Sequence, residues 1–271
     1  MRTPAPEPGV YFNVPAEDYH SWPYASKSRM IGFRKSPAHV HAPHKESDSL
    51  DWGTWFHAAV LEPGLFAEKA VECQKLNRST KEWKEIAAKN QGKWLIQADD
   101  WASIQTAASR VLKHKIAGPL VRGKGRNEAS MVFDDPDTGV RCKVRADRIT
   151  AAGIVDIKTT RSAHWSDFQG DAARYGYFLQ AAMYRRAVKL RYGKEMPFIV
   201  VAVESEGVHG VNAFALECLE SERELDTHLR AWAACKAADK WPAYPEILFN
   251  LPEPLWYSRL FTPDRSEQPI D

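Results

Sequence analysis

Cysteine is scarce in this chain. Its 271 residues hold four, Cys73, Cys142, Cys218 and Cys235, and none are close together. Zinc knuckles and iron–sulfur clusters take their ligands in tightly spaced groups, so both are excluded. Long apolar runs are missing too: no stretch has transmembrane length, and the first residues do not read as a signal peptide. The expectation is a cytoplasmic protein with reduced thiols and no membrane partner. Net charge is small, +2, with a sequence pI near 8.3. A chain this balanced is not drawn onto nucleic acid by its total charge, so a local patch would have to do that. No internal repeat and no low-complexity linker divides it.

What is present is ordinary for a globular protein: 44% hydrophobic and 27% charged residues, with ten tryptophans to pack between elements. The Pro-rich stretch 1–10 reads as extended or flexible. Residues 11–23 read as a short strand and loop. Ser26-Lys27-Ser28 can open a helix to about residue 35, and Ser36-Pro37 restarts a helical turn. His39, His41 and His44 follow as solvated loop histidines, a metal cluster being the alternative. The apolar run 51–61 reads as a helix ended by Glu62-Pro63-Gly64, and His57 sits in it as a packed residue. Residues 80–90 and 99–116 read as helices.

The spacing then changes to that of strands. Residues 128–134 and 140–149 flank the turn Asp135-Pro136-Asp137-Thr138-Gly139, and 153–158 completes a three-stranded meander. A long helix is predicted over 171–192, with Gln180 and Tyr184 on one face, Tyr177 near it, and a basic end at Arg185, Arg186, Lys189 and Arg191. That end could track phosphates, though a solvated face is the commoner reason for it. A buried strand over 197–204 pairs with another over 208–216. Ser221-x-x-Glu224 is a capping box for a helix to about 241. The tail from Pro242 is expected to pack over the body.

The chemistry is placed in 145–160. Side chains alternate along a strand, so Asp156 and Lys158 share one face while Val155 and Ile157 take the other. A carboxylate beside an ammonium, with Asp147 delivered by the preceding strand, makes a site for a hard divalent cation. Oxygen ligands suit Mg²⁺, and a lysine can hold a water beside it.

These features together resemble the PD-(D/E)XK nuclease superfamily, in its RecB-like branch. Within that branch they are similar to the phage and prophage exonucleases related to the RecE C-terminal nuclease domain. The matching residues are Ser-Pro-Ala-His at 36–39, Gly53-Thr54-x-x-His57 with Leu61-Glu62-Pro63, Glu128-x-Ser130 and Thr138-Gly139. They continue through 142–148, Val155 to Thr160, and Gln180-Ala181-Ala182-Met183-Tyr184. The likeness runs over about 11–257, which would be a single nuclease domain between a flexible N-terminus and a tail at 258–271.

The resemblance implies an α/β fold, a mixed central sheet flanked by helices with an N-terminal helical elaboration. It implies that His57, Asp147, Asp156 and the carbonyl of Ile157 hold the metal, that Lys158 orients the attacking water, and that Gln180 and Tyr184 brace the site. Glu128 is left open. An imidazole is softer than Mg²⁺ prefers, so Mn²⁺ should substitute. The helix start at Ser26, Ser28 and Arg29 is a candidate DNA contact, near a terminal 5′-phosphate.

The activity implied is an exonuclease that degrades duplex DNA from a free end, 5′ to 3′, in phage-type recombination. It implies a single-strand annealing protein as partner and a ring-shaped homo-oligomer. The absence of clustered cysteines and of a helicase motif sets the chain apart from the iron–sulfur and helicase–nuclease members. The competing readings are a structure-specific or single-strand endonuclease on the same fold and a catalytically silent DNA-binding module. The intact Asp147, Asp156 and Lys158 weigh against silence.

Overall fold

The computed structural model describes residues 5–42, 50–74, 76–254 and 257. A six-stranded mixed sheet organises it, in the order β1-β4-β5-β6-β7-β8. The strands are β1 (Gly9–Tyr11), β4 (Gly125–Asp134), β5 (Arg141–Thr150), β6 (Ile154–Thr160), β7 (Phe198–Glu204) and β8 (Val211–Ala215). The predicted meander is there: β4, β5 and β6 run antiparallel in sequence. Asp135 closes its first turn by accepting from the Thr138 amide at 3.1 Å and hydroxyl at 2.7 Å, and Gly139 supplies a φ of +65°. β6 and β7 are parallel, so the chain must cross over between them through helices.

Helices cover both faces. α2 (Lys27–Lys35), α8 (Trp165–Arg174), α9 (Tyr177–Tyr192) and α10 (Leu219–Ala238) contribute to one core, with Met30, Leu179, Met183, Phe198 and Leu229 buried there. α3 (Leu50–Leu61), α6 (Ala98–Lys113) and α7 (Ala117–Arg122) contribute to the other. Val155 and Ile157 belong to that second core, while Ile154, Val200 and Ala202 belong to the first. The alternation read from 154–158 is therefore the real one, and it sends Asp156 and Lys158 towards α9.

Several elements differ from expectation. Residues 16–21 form a short helix, α1 (Ala16–Ser21), where a loop was predicted. Pro63 does not merely end α3; at N1 it begins α4 (Pro63–Lys69). β2 (Ala70–Cys73) and β3 (Trp94–Gln97) pair in parallel around α5 (Lys81–Lys89), and their four-residue length left no readable alternation. β1 begins at Gly9, inside the stretch read as extended or flexible.

The predicted helix over 171–192 is two helices. The chain breaks at Gly176, whose φ is +68°, and a Cβ there would overlap Ile31 Cδ1 of α2. The capping box is not the cap. α10 starts at Leu219 with Cys218 at its N-cap, and Glu224 instead takes a bidentate bond from Arg34 at 2.7 and 2.9 Å. The tail from Pro242 touches the body at its start, where the Pro242 carbonyl accepts from the Ala38 amide at 3.1 Å and the Tyr244 ring meets His39. Beyond that it runs exposed through Leu248 and Leu251. Residues 258–271, expected as a tail, lie outside the described residues.

Candidate active site

The site is built where β5 and β6 part. They pair at Arg148↔Val155 and Ile149↔Ile154, and the next pair in that register would set Asp147 opposite Asp156. Pairing stops there. The Asp147 carboxylate takes over, its Oδ2 accepting the Ile157 amide at 2.7 Å. On the other side, Asn127↔Arg148 and Ala129↔Ala146 bracket Glu128 opposite Asp147. Glu128, Asp147 and Asp156 therefore form one row across adjacent strands. Glu128 has φ +48°, a left-handed conformation unusual for a residue with a side chain.

α3 brings His57 over this row. Its apolar residues Trp55, Phe56 and Val60 enter the core with Val155 and Ile157, which fixes the helix against the back of β6. His57 Nε2 lies 3.0 Å from Asp147 Oδ2, and its Nδ1 lies 3.9 Å from Glu128 Oε1. His57, Glu128 and Asp147 each offer a ligand atom within 4.8 Å of the others. His57 is therefore no plain core histidine.

Asp156 is 1% exposed and held on both sides. Gln180 of α9 donates to its Oδ1 at 2.7 Å, and Lys158 Nζ stands 2.5 Å from its Oδ2. That Oδ2 receives no well-directed hydrogen bond and stays available as a ligand atom. Lys158 Nζ also lies 5.1 Å from the Tyr177 ring centre, and Lys27 Nζ lies 5.3 Å from the same centre. Tyr184 Oη accepts the Arg145 amide at 3.4 Å.

Crowding of charge sets the protonation states. Burial and the Asp147 charge push Asp156 up to about 6, against Lys158. Burial and Asp147 likewise push Glu128 up to about 7. Burial works against the His57 cation, but Asp147 outweighs it and raises His57 to about 9. Asp147 is held below the ordinary carboxylate range, because His57, Lys158 and the Ile157 amide overcome its burial. Lys158 is raised above the ordinary lysine range, burial being overcome by Asp156 and Asp147. In this cluster His57, and in part Glu128, hold protons that a divalent cation would replace.

A cleft of about 860 Å³ opens in front of the row. Five cations line it (Lys27, Arg29, Lys35, Arg145 and Lys158), with Lys143, an ammonium that burial pushes down to about 7, against two carboxylates, Asp147 and Asp156. Ser26 and Ser28 reach the same cleft from the start of α2. Ser26 is the N-cap residue but makes no side-chain cap bond, and Arg29 donates to the Pro23 carbonyl at 2.8 Å. Lys143 is buried and donates to the carbonyls of Tyr19, Trp22 and His20 at 2.6, 2.8 and 3.2 Å, so it holds the end of α1.

His39 and His41 are not loose. They sit on a 3-10 turn, Pro37–His41, at the cleft rim, with rings against Tyr244 and Trp241. His44 lies outside the described residues. The basic end of α9 is turned to other uses, since Arg185, Arg186 and Lys189 pair with Glu222, with Asp135 and Asp226, and with Glu195.

The sequence reading missed Lys27, Lys143 and Arg145 as cleft residues and left Glu128 open. A signal for Glu128 existed: the tight turn at 135–139 fixes the hairpin register, and that register sets 128 against 147.

The pattern of the PDDEXK-like domain of unknown function DUF3799 matches residues 26–248. The chain belongs to this PDDEXK-like family. Within the matched span Asp147 lies on β5, and Asp156 and Lys158 lie on β6. Among solved structures, a candidate exonuclease from Eubacterium rectale superposes with a TM-score of 0.60 at 14% identity, over 94% of this chain and 100% of that one. At that identity the likeness shows the fold, a restriction-endonuclease-like mixed sheet flanked by helices. The crystal structure of SSO0001 matches at 16% identity and a TM-score of 0.27, over 66% of this chain and 86% of that one. No curated protein matches the chain. Among the described residues no helix is long and apolar enough to cross a membrane.

Proposed function

We propose that this PDDEXK-like chain is a Mg²⁺-dependent exodeoxyribonuclease of the RecE-like kind, with Mn²⁺ able to substitute. It hydrolyses phosphodiester bonds from the free end of duplex DNA, 5′ to 3′, in phage-type recombination beside a single-strand annealing protein. The observation that carries this reading is the row Glu128, Asp147 and Asp156 under His57, with Asp147, Asp156 and Lys158 lining a cleft where basic residues outnumber carboxylates.

The donor set fits a divalent metal. His57, Glu128 and Asp147 already converge, and Asp156 keeps a buried oxygen without a directed hydrogen bond. These side chains, with the Ile157 carbonyl, would hold the ion. When bound, it would neutralise charge on the phosphate and lower the pKa of a water. The chain's own groups do the rest. Lys158, kept protonated, orients the attacking water and faces the charge that grows on the phosphate. Gln180 fixes the Asp156 carboxylate. Tyr184 braces β5 through the Arg145 amide. The cations of the cleft receive the flanking phosphates, and Ser26, Ser28 and Arg29 receive the terminal one.

A net charge of only +2 gives weak long-range attraction to DNA. An enzyme removing many nucleotides then needs another way to stay on its substrate. A closed ring, a common outcome for homo-oligomers, would admit a duplex by its end and retain it.

The test is digestion of end-labelled linear duplex beside a covalently closed circle, with Mg²⁺ or Mn²⁺. Loss of label from linear DNA alone is expected. Nicking of the circle at a comparable rate moves the reading to an endonuclease. A strictly monomeric protein by light scattering, still degrading long duplexes processively, removes the ring and leaves the chemistry.

A further inference from the structure

A second groove, of about 670 Å³, adjoins the catalytic cleft. Arg29, Val40 and His41 line both, so the two share a wall. The rings of Tyr24, His41 and Trp241 line this groove together with the cations Arg29, Arg141 and Lys236. Its one lining carboxylate, Asp134, is taken up by Arg141 at 2.8 and 3.2 Å, and Glu7 meets the same guanidinium at 2.9 Å, so the uncompensated cations are Arg29 and Lys236. Lys236 is exposed and makes no ion pair among the described residues.

The rings are held in place. Trp241 meets the buried Trp232 edge-on at 5.2 Å and His41 edge-on at 5.0 Å, and the neighbouring Pro242 carbonyl is tied to the Ala38 amide. Tyr24 lies under the Arg141 guanidinium at 5.7 Å. Partly exposed rings interleaved with cations suit a strand whose bases are unstacked, because each base then has a free face and each phosphate a charge to meet. A duplex offers no free base faces along its length.

From this we propose that the second groove binds a single strand of nucleic acid running on from the catalytic cleft. The assignment rests on the nuclease reading and adds to it: the enzyme would act at a junction where one strand has left the duplex. Continuity with the cleft and the excess of cations favour this occupant over a protein segment.

The full chain is tested by fluorescence anisotropy in chelator, with a duplex carrying a single-stranded tail and a blunt duplex of equal length. Trp241→Leu is expected to weaken binding of the tailed duplex about 10-fold, the order for losing one stacked base, and to spare the blunt one. Lys236→Gln, at an exposed position that folding does not depend on, is expected to lower the salt slope on tailed DNA by about 0.7. Hydrolysis of bis(p-nitrophenyl) phosphate should match wild type in both variants, since neither residue reaches the acids.

Unchanged binding of tailed DNA by both variants, with wild type cleaving DNA, overturns the groove assignment alone. Polyglutamate binding as tightly as the oligonucleotide overturns it in favour of an acidic polypeptide. A wild type that neither binds nor cleaves any DNA overturns the nuclease reading, and the groove assignment with it.

Discussion

His57 Nε2 lies 3.0 Å from Asp147 Oδ2, the oxygen that also accepts the Ile157 amide. One atom thus ties α3 to the two strands that part at the site. It also keeps His57 protonated up to about pH 9.

A metal ligand must give up that proton. Mn²⁺ binding at pH 7 is therefore expected to release about one proton from His57, with a further fraction from Glu128. Calorimetry in two buffers of different ionisation enthalpy measures this. Affinity should climb by up to about 10-fold per pH unit between 7 and 9, and His57→Ala should flatten that climb. Without metal the sign for stability is the reverse. The His57–Asp147 pair stabilises fully below about 6.5, and its contribution is lost as pH rises through about 9. Equal affinity and stability in His57→Ala would return this residue to a packing role.

Asp156→Ala and Lys158→Ala should each lower cleavage by at least about 10²-fold while the protein stays folded by circular dichroism. Gln180→Ala should cost less, because Asp156 keeps Lys158 as a partner. It should also weaken metal binding, a readout that packing alone would not move. Wild-type turnover in a folded Asp156 or Lys158 variant would sink the assignment.

Glu128→Gln removes a charge from the row but keeps the shape. Metal affinity is expected to fall several-fold, and His57, losing a neighbouring anion, should titrate lower. NMR titration of the His57 ring checks the second point. An unmoved His57 and unmoved affinity would leave Glu128 outside the site, its left-handed backbone then being a local matter.

Ser26, Ser28 and Arg29 are expected to favour a phosphorylated 5′ end. Comparing phosphorylated and dephosphorylated duplexes tests this, with Arg29→Ala abolishing the preference. No difference between the two ends would remove that contact and leave the row of acids untouched.

The strands around the site were legible because they combine alternation with a strong turn. Asp135 to Gly139 fixes one hairpin, and Val155 and Ile157 mark which face of β6 is buried. Asp156 and Lys158 follow from these. His57 could not be read from its surroundings, since a histidine among apolar residues looks alike whether it faces a core or a carboxylate. Only the resemblance separated the two. Lys143 and Arg145 were hidden because their partners are carbonyls and hydroxyls far along the chain, which leave no local pattern. The split of the long helix was hidden for a similar reason: Gly176 is tolerable in a helix by propensity, and nothing nearby in the chain marks its left-handed φ of +68°.

That glycine has a wider bearing. α2 carries the cations at the mouth of the cleft, and α9 carries the glutamine at its floor. Where the two helices meet, Gly176 takes a left-handed turn, φ +68°, that a residue with a Cβ enters only with strain. A methyl at 176 would push aside the Cδ1 end of Ile31, a side chain that can turn, so the lasting cost would fall on the backbone that starts α9. The seating of Gln180, one turn further on, thus leans on a position that carries no chemistry of its own.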